Sequence, residues 1–148
     1  MLSHPVSTLR LSAELRSLAA IRTFIEDTAA ALRIDHDTTL DLLQAVDECA
    51  TNIIVHGYRG RPGPIEIEMG RNGNVLIVRL RDRAPLFDPT QLPLPDISLP
   101  LEQRPVGGMG VFLARRLTDG MTYRVTPQGG NELTLIKKTH PLHPAEEV

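Results

Sequence analysis

The most informative stretch of the sequence reads Asp47-Glu48-Cys49-Ala50-Thr51-Asn52-Ile53-Ile54-Val55-His56-Gly57-Tyr58. Its apolar residues recur at helical spacing, and Glu48 and Asn52 fall at i and i+4, one above the other on a neighbouring face. An amide oxygen is a suitable ligand for Mg2+, and a nearby carboxylate can orient or deprotonate a hydroxyl. The same spacing also arises by chance on solvated helix faces, so this pair alone does not define a site.

A glycine cluster, Gly107-Gly108-Met109-Gly110, stands directly ahead of a second amphipathic run that begins at Val111. Backbone N–H groups at a helix start form an anion cradle that suits phosphates when no Cβ obstructs them. The cluster is neither a Walker A loop nor a G-x-G-x-x-G fingerprint, and a hinge or tight turn is the alternative interpretation. Arg104, just upstream, could reach a terminal phosphate, although a single loop arginine is more often solvated.

Asp82 ends an alternating apolar run and is followed by Arg83-Ala84-Pro85. A carboxylate at a strand end could accept a hydrogen bond from an adenine amino group in an apolar pocket. The alternative is an aspartate that opens the turn ahead of Pro85.

The composition excludes several classes of protein. The chain has 148 residues, of which 41% are hydrophobic and 23% charged, as is ordinary for a single globular domain. A net charge of −2 and the lack of tryptophan give no footprint for nucleic acid. No apolar run approaches a membrane span and no signal-peptide core is visible, so a cytoplasmic protein is expected. The single cysteine, Cys49, lies on the apolar helix stripe and cannot form a disulfide within one chain.

The periodicity predicts a strand over 6–11 and a first helix with Ser12 as its N-cap. A second helix is expected from Asp35 or Asp37 to about His56, with Gly57 as its stop, and a third over 111–119.

Two hairpins are also predicted, one from runs 65–69 and 75–80 around Asn72-Gly73, the other from runs 123–126 and 132–138. Six of the twelve prolines lie between Pro85 and Pro105, which indicates a functional lid or a linker rather than a regular element. The order strand, helix, helix, hairpin, lid, helix, hairpin predicts an α+β sandwich, with helices on one face of a mixed or antiparallel sheet.

Three motifs in this order resemble a known family. They are Asp47-Glu48-x-x-x-Asn52 through His56-Gly57-Tyr58, Asp82-Arg83-Ala84-Pro85-x-Phe87-Asp88-Pro89, and Gly107-Gly108-Met109-Gly110-Val111-Phe112-Leu113. Together they resemble the anti-sigma-factor serine kinases of the RsbW and SpoIIAB type, which belong to the GHKL ATPase superfamily. The resemblance implies a Bergerat fold, a two-layer sandwich with a mostly antiparallel sheet. It also implies one ATP-binding kinase domain over residues 1–138, with a lid at about 85–106 and a flexible tail over 139–148.

The resemblance assigns a role to each matching residue. Glu48 is implied as the general base that activates an acceptor serine hydroxyl, and Asn52 as the ligand of the Mg2+ that bridges the phosphates. Asp82 is implied to bind the adenine amino group, Arg104 to serve as a lid arginine near the terminal phosphate, and Thr134 to lie near adenine. The full set of implied cofactor-binding residues is Asn52, Asp82, Ala84, Arg104, Gly107, Gly108, Met109, Gly110, Val111 and Thr134.

One residue departs from the family pattern, because the usual Asp-x-Gly box reads Asp82-Arg83-Ala84. Ala84 adds a methyl group where the backbone approaches the base, and alanine does not readily adopt positive φ. This departure motivates a second hypothesis, a kinase-inactive anti-sigma or adaptor module with weak or no ATP binding. An ATPase that uses water as its acceptor is a third.

The first hypothesis, implied by the resemblance, is an anti-sigma factor and ATP-dependent serine kinase with ATP and Mg2+ as cofactors. Its expected partners are a STAS-type anti-anti-sigma antagonist, an RNA polymerase sigma factor and a second copy of the chain as a homodimer. No direct contact with nucleic acid or with a membrane is expected.

Overall fold

The protein folds as helices packed on one face of an antiparallel sheet. The computed structural model describes residues 6–93, 98, 100, 102 and 108–140. The strands in that part of the chain are β1 (Ser7–Ser12), β2 (Pro64–Asn72), β3 (Val75–Asp82), β4 (Gly120–Val125) and β5 (Asn131–Lys138). The helices are α1 (Ser17–Ala31), α2 (His36–Thr51), a π-helix that continues α2 (Asn52–Tyr58), a short 3₁₀ turn (Pro89–Gln91) and α3 (Gly108–Leu117).

The strand order is β1-β2-β3-β5-β4, and every neighbouring pair is antiparallel. Both predicted hairpins are therefore confirmed, as is the two-layer α+β fold. The chain leaves the sheet at the end of β3, and β5 returns beside it, so that Asp82 lies opposite Asn131. This pairing places the end of β3 next to the start of β5, at the edge of the helix layer.

The core lies between the sheet and the helices. Alternate residues of each strand face it, in keeping with the period of two of a pleated strand. The largest fully buried side chains are Ile21, Ile25, Leu42, Val46, Ile65, Ile67, Met69, Leu76, Val78, Leu80, Val111 and Leu135. Full burial of each contributes about 1.5–3 kcal/mol relative to exposure, so this shared interface holds the two layers together.

None of the helices in the described part has the length and apolar composition needed to cross a bilayer.

The N-terminal boundary of α1 differs from its prediction. Ser12 is the last residue of β1 rather than a helix cap, and its carbonyl oxygen accepts a hydrogen bond of 2.7 Å from Ser17 Oγ. The helix begins at Ser17 after a turn. The prediction of Asp35 as the start of the second helix is confirmed, since its side chain accepts a hydrogen bond of 3.0 Å from the Thr38 backbone N–H.

The second helix does not stop at Gly57. It widens into a π-helix that includes Gly57 and ends after Tyr58, where Arg59 adopts a left-handed conformation with φ of 53°. Tyr58 anchors this end, because its hydroxyl donates to the Pro64 carbonyl at 2.6 Å and accepts from the Arg83 N–H at 2.7 Å. Segments of π-helix occur frequently at functional sites, and this one begins at Asn52.

Candidate functional site

A cavity opens between the C-terminal part of α2, the π-helix and the paired ends of β3 and β5. It has a volume of about 440 Å3, including the part open to solvent. The lining is mainly apolar with a few polar groups, as is typical of small-molecule sites. Its residues are Cys49, Asn52, Ile53, Gly57, Asp82, Ala84, Pro85, Phe87, Pro89, Val111, Tyr123, Asn131 and Leu133.

Asp82 supplies the buried carboxylate of this cavity. Only 6% of the residue is exposed, and burial raises the pKa of its carboxyl above the ordinary value. The Oδ1 atom accepts hydrogen bonds from the Ala84 N–H at 2.9 Å and from Asn131 Nδ2 at 2.8 Å. No residue in the described ranges donates to Oδ2. One carboxylate oxygen is therefore fixed, and the other is available to a donor in the cavity.

Asn131 holds Asp82 in place, although no motif in the sequence indicated this residue. Its amide nitrogen donates to Asp82 Oδ1 and to the Ala84 carbonyl, the latter at 3.1 Å. Its amide oxygen accepts from the Phe87 N–H at 3.1 Å and from the Tyr123 hydroxyl. One side chain thus links β3, β4 and the segment that follows β3. The available signal was its place between Gly130 and the predicted strand over 132–138.

Thr134, which was predicted to lie near adenine, is not among the residues that line the cavity. In the register of β5 with β3, Thr134 lies opposite Arg79, whose side chain bonds to Glu68 on the sheet face away from the helices. Leu133, one residue earlier, points into the helix-covered side and lines the cavity. Because side chains alternate along a strand, the cavity receives Asn131 and Leu133 from β5 but not Thr134.

Glu48 and Gly110 are in direct contact across the seam between α2 and α3. A Cβ atom on Gly110 would lie 2.6 Å from Glu48 Oε2, so a larger residue would displace the carboxylate from this position. Glu48 is half-buried, as is Asn52 one turn further along. Within the described ranges, neither side chain has a hydrogen-bonding partner. The predicted carboxylate, carboxamide and glycine residue are therefore brought together with their polar atoms available.

Ala84 fits its position without strain. In the described part of the chain, the residues other than glycine with positive φ are Arg33 and Arg59. The methyl group of Ala84 faces Gly57, where an added Cβ would lie 3.2 Å from it. The small residue at position 57 therefore accommodates the larger one at position 84, and the expected conformational penalty is absent.

The remaining predicted residues are only partly described. Val111 is 2% exposed and lines the cavity, while Gly108 and Met109 form the start of the α3 backbone. Arg104 and Gly107 lie outside the described residues, as do 94–97, 99, 101 and 103–106 of the predicted lid at about 85–106 and 141–148 of the predicted tail over 139–148.

Cys49 also lines the cavity, but it is not a reactive group. Burial, followed by the neighbouring Glu48 carboxylate, raises the pKa of its thiol to about 12. Since the thiolate is the reactive form, Cys49 acts as a small apolar wall residue.

These residues fit a magnesium-bound nucleotide. The buried Asp82 oxygen suits an exocyclic amino group, and the apolar walls suit a planar ring. The described residues contain no cluster of three or more His, Cys, Asp or Glu side chains that could hold a metal alone. Asn52 can supply one oxygen ligand, and Mg2+ in such sites takes most of its other ligands from phosphates and water.

Comparison with known proteins assigns the class. Residues 11–137 match the model of the histidine kinase-like ATPase domain. The chain therefore belongs to the histidine kinase-like ATPase family, and within it to the RsbW-type branch that its three motifs predicted.

The relatives that define this branch are named as serine-protein kinases. The chain is 30% identical over 115 residues to the serine-protein kinase RsbW of Bacillus thuringiensis (strain Al Hakam), covering 75% of this chain and 72% of that protein. The same values hold for the serine-protein kinase RsbW of Bacillus anthracis.

A solved structure supports the fold. The chain matches a crystal structure of the RsbU and RsbW domains of a Mycobacterium tuberculosis protein with a TM-score of 0.67 and 19% identity. The match covers 95% of this chain but only 34% of that longer protein. It confirms the two-layer architecture.

Proposed function

We propose that this protein is an anti-sigma factor and an ATP-dependent protein serine kinase that phosphorylates a STAS-type anti-anti-sigma antagonist. The observation that carries the proposal is the contact between Glu48 and Gly110, one helical turn from Asn52 and beside the Asp82 cavity. A general base, a metal ligand and a phosphate-binding helix start are the parts that phosphoryl transfer requires.

The cavity is assigned to the nucleotide base. Asp82 Oδ2 accepts a hydrogen bond from the adenine amino group, while Asn131 keeps the carboxylate in position. Ile53, Val111 and Leu133 contribute apolar surface to the walls, which excludes water from the ring. The pairing of a fixed acceptor with a narrow apolar slot favours adenine over bases that present a carbonyl oxygen at this position.

The phosphate end is assigned to the seam between α2 and α3. Bound MgATP would supply the phosphoryl group for transfer to an acceptor serine oxygen, with ADP as the leaving group. Glu48 would take the hydroxyl proton of that serine on its carboxylate, and Asn52 would hold the metal through its amide oxygen. The free N–H groups of the first turn of α3 donate to phosphate oxygens. We also propose that Arg104, Gly107, Gly108 and Met109 contribute to nucleotide binding. Residues at about 85–106 are proposed to form a lid over the nucleotide, within a single domain over 1–138.

The test is transfer of labelled phosphate from ATP to a STAS-domain antagonist. Glu48→Gln is expected to reduce transfer by at least about 100-fold, because general-base catalysis contributes typically 10²–10⁴-fold. The matched control is Asp47→Asn, since Asp47 is the adjacent carboxylate but bonds to Arg22 at 3.0 Å on the α1 side. Equal transfer by the wild type and Glu48→Gln would exclude Glu48 as the base.

Phosphorylation is proposed to operate a switch between partners. The unphosphorylated antagonist binds the kinase and displaces an RNA polymerase sigma factor, and the phosphorylated antagonist is released. A homodimer is proposed as the active form. Size-exclusion chromatography of the protein alone measures whether it is a homodimer. The same method applied to mixtures of the protein, antagonist and sigma factor, with and without MgATP, measures the exchange of partners. A sigma factor that stays bound under every condition would contradict the switch.

The alternative of a kinase-inactive adaptor was motivated by Ala84. Its backbone conformation does not require glycine, and Gly57 makes room for its methyl group. The conformational objection to nucleotide binding therefore does not apply, and we retain the kinase as the proposed function.

A further inference from the structure

A second groove adjoins the nucleotide cavity and includes the proposed metal ligand Asn52, but its arginines have no role in the proposed transfer chemistry. It has a volume of about 1300 Å3, including open solvent. The groove shares Asn52, Gly57, Pro85 and Phe87 with the cavity. We call it the basic groove; its further lining residues are His56, Arg59, Arg61, Leu86 and Leu92.

The charge of the basic groove is one-sided. Its lining includes two arginines and a histidine but no aspartate or glutamate. Within the described part of the chain, no carboxylate forms a salt bridge with Arg59 or Arg61. Each uses its Nε atom in a long bond to a backbone carbonyl, at 3.3 Å for Arg59 and 3.4 Å for Arg61. Their terminal nitrogen atoms remain available to an anion.

The loop that carries these arginines is held in one conformation. The Arg61 N–H donates to the Tyr58 carbonyl at 3.0 Å, and the Ala13 N–H donates to the Gly63 carbonyl at 2.8 Å. The Tyr58 ring packs so closely on Gly63 that an added Cβ would lie 2.1 Å from it. A fixed loop loses little conformational entropy when it binds a partner, which favours recognition.

The groove also exposes apolar surface beside the charges. Leu86 is 57% exposed and Phe87 is 47% exposed, and both belong to its wall. Apolar side chains next to unpaired arginines are suited to a polypeptide that carries both kinds of residue, since interfaces combine apolar contact with charge complementarity.

The groove and the phosphate end lie on opposite sides of Asn52. Glu48 contacts Gly110 one turn before Asn52, whereas His56 and Gly57 line the groove about one turn after it. Because phosphates are expected on the Gly110 side, the arginines are left for another anion. Because an α-helix rises about 1.5 Å per residue and the wider π-helix after Asn52 rises less, Glu48 and His56 are separated along the helix by at most roughly 12 Å.

From this arrangement we propose that the basic groove binds an extended acidic segment of the acceptor protein and so selects the kinase substrate. The proposal rests on the proposed function for the identity of the partner. An extended chain covers roughly 12 Å in about four residues, so the carboxylate lies about four residues from the reactive serine, beside an apolar residue.

The test uses two fluorescent peptides and the full chain. One peptide carries serine with Glu and Leu four and five residues away, and the other has Lys in place of Glu. Fluorescence anisotropy in about 20 mM salt, where screening is weak, is expected to give about tenfold tighter binding of the acidic peptide. The double variant Arg59→Glu/Arg61→Glu is expected to reverse this preference. The matched control is Arg33→Glu, because Arg33 is also exposed and left-handed but lies outside the groove.

Three results would overturn the proposal. They are equal binding of both peptides, no binding of either up to millimolar concentration, and an unchanged preference in the double variant. The thermal shift with MgATP is measured on the same proteins and is expected to be unchanged by the double variant. A lost shift would instead assign the arginines to the nucleotide phosphates. Peptide preference without phosphate transfer would reject the kinase proposal and leave the groove in place.

Discussion

Gly110 is the position at which an added side chain would interfere most directly with the proposed chemistry. Gly110→Ala places a Cβ atom 2.6 Å from Glu48 Oε2, so the carboxylate must move. Displacement of a catalytic group by about 1 Å costs up to 10²-fold in rate, and we expect phosphate transfer to fall about 10- to 100-fold. Stability is expected to stay within about 1 kcal/mol of the wild type, because alanine is the better helix former.

The control for this prediction is Gly120→Ala. A Cβ atom there meets Ile136 at 3.6 Å, which is ordinary van der Waals contact. Transfer rates are measured with saturating antagonist alongside urea unfolding of each variant. Full activity of Gly110→Ala would show that Glu48 does not work from the position it occupies here.

Asn131 is predicted to be the residue that fixes the adenine-binding carboxylate. Asn131→Leu keeps a similar volume but leaves the Phe87 N–H and the Tyr123 hydroxyl without their acceptor. It also removes the donor to the buried Asp82 Oδ1 and Ala84 carbonyl. Leaving a buried acceptor without its donor costs about 1–3 kcal/mol, so we expect a loss of about 2 kcal/mol in the free energy of unfolding. Affinity for MgATP is expected to fall as well, because Asp82 is then free to rotate.

Urea unfolding and calorimetric titration with MgATP measure these two effects. Asn72→Leu serves as the control, since Asn72 is exposed at the end of β2. Wild-type affinity in Asn131→Leu would show that Asp82 needs no support from β5.

At the scale of elements, the open face of the sheet carries a row of alternating charges. Neighbouring strands contribute Arg10, Glu66, Arg81, Glu132 and Arg124 at directly opposed positions. Every adjacent pair in this row is joined by a salt bridge. The row connects all the strands of the sheet on the face that has no helices.

Glu132 is the best-buried member of this row, with only 3% of its side chain exposed. Its carboxylate accepts from Arg124 Nε at 2.5 Å and from Arg81 Nε at 2.7 Å. Glu132→Gln removes the charge between two arginines, and we expect the free energy of unfolding to fall by about 2 kcal/mol or more at neutral pH. Glu14→Gln is the control, because its pair with Arg16 is exposed and contributes less than about 1 kcal/mol.

The pH dependence of stability provides the second measurement on Glu132. The hydrogen bond from Arg124, with help from Arg81, lowers the pKa of Glu132 below its ordinary value of 4.5. A pKa lower in the folded state stabilises the protein above pH 4.5, and that contribution is lost as the pH falls through the lowered value. Glu132→Gln should therefore flatten the acid limb of the stability curve. An acid limb identical to that of the wild type would contradict the assignment.

The elements that could be predicted from the sequence are those in which buried apolar residues recur at a regular spacing. The hairpins followed from alternation, and the α+β class followed from their order. The π-helix was missed, because Gly57 is a common helix stop and nothing local shows that Tyr58 will be anchored by Pro64 and Arg83.

The sequence placed Glu48, Asn52 and Gly110 on one helix and one glycine box, and the structure brings Glu48 and Gly110 together, although their roles stay predictions. On β5 the cavity is lined by Asn131, which no motif indicated, and not by the predicted Thr134, because only one face of the strand meets the helices. Strand register decides that, and the register is set by pairing with β3 rather than by residues near Thr134.

At the scale of the whole molecule, the cavity is lined from both layers, with residues of α2, the π-helix, α3, β3, β4 and β5. A ligand there should stabilise the sheet and the helices together, so we predict one thermal transition that shifts as a unit when MgATP is added. At 100 times Kd the gain is about 2.7 kcal/mol, equivalent to about 5–10 °C for a chain of this size.

Asp82→Asn is the matched variant for this measurement, because it keeps the size of the side chain but replaces the Oδ2 acceptor or turns a donor toward the base. Its transition without ligand should resemble that of the wild type, and its shift with MgATP should be lost. A wild-type protein that folds cooperatively but shows no shift would favour the adaptor, since a kinase must bind its nucleotide before it transfers phosphate. A shift that survives Asp82→Asn would instead mean that the nucleotide binds elsewhere, because the cavity then contributes nothing to its recognition.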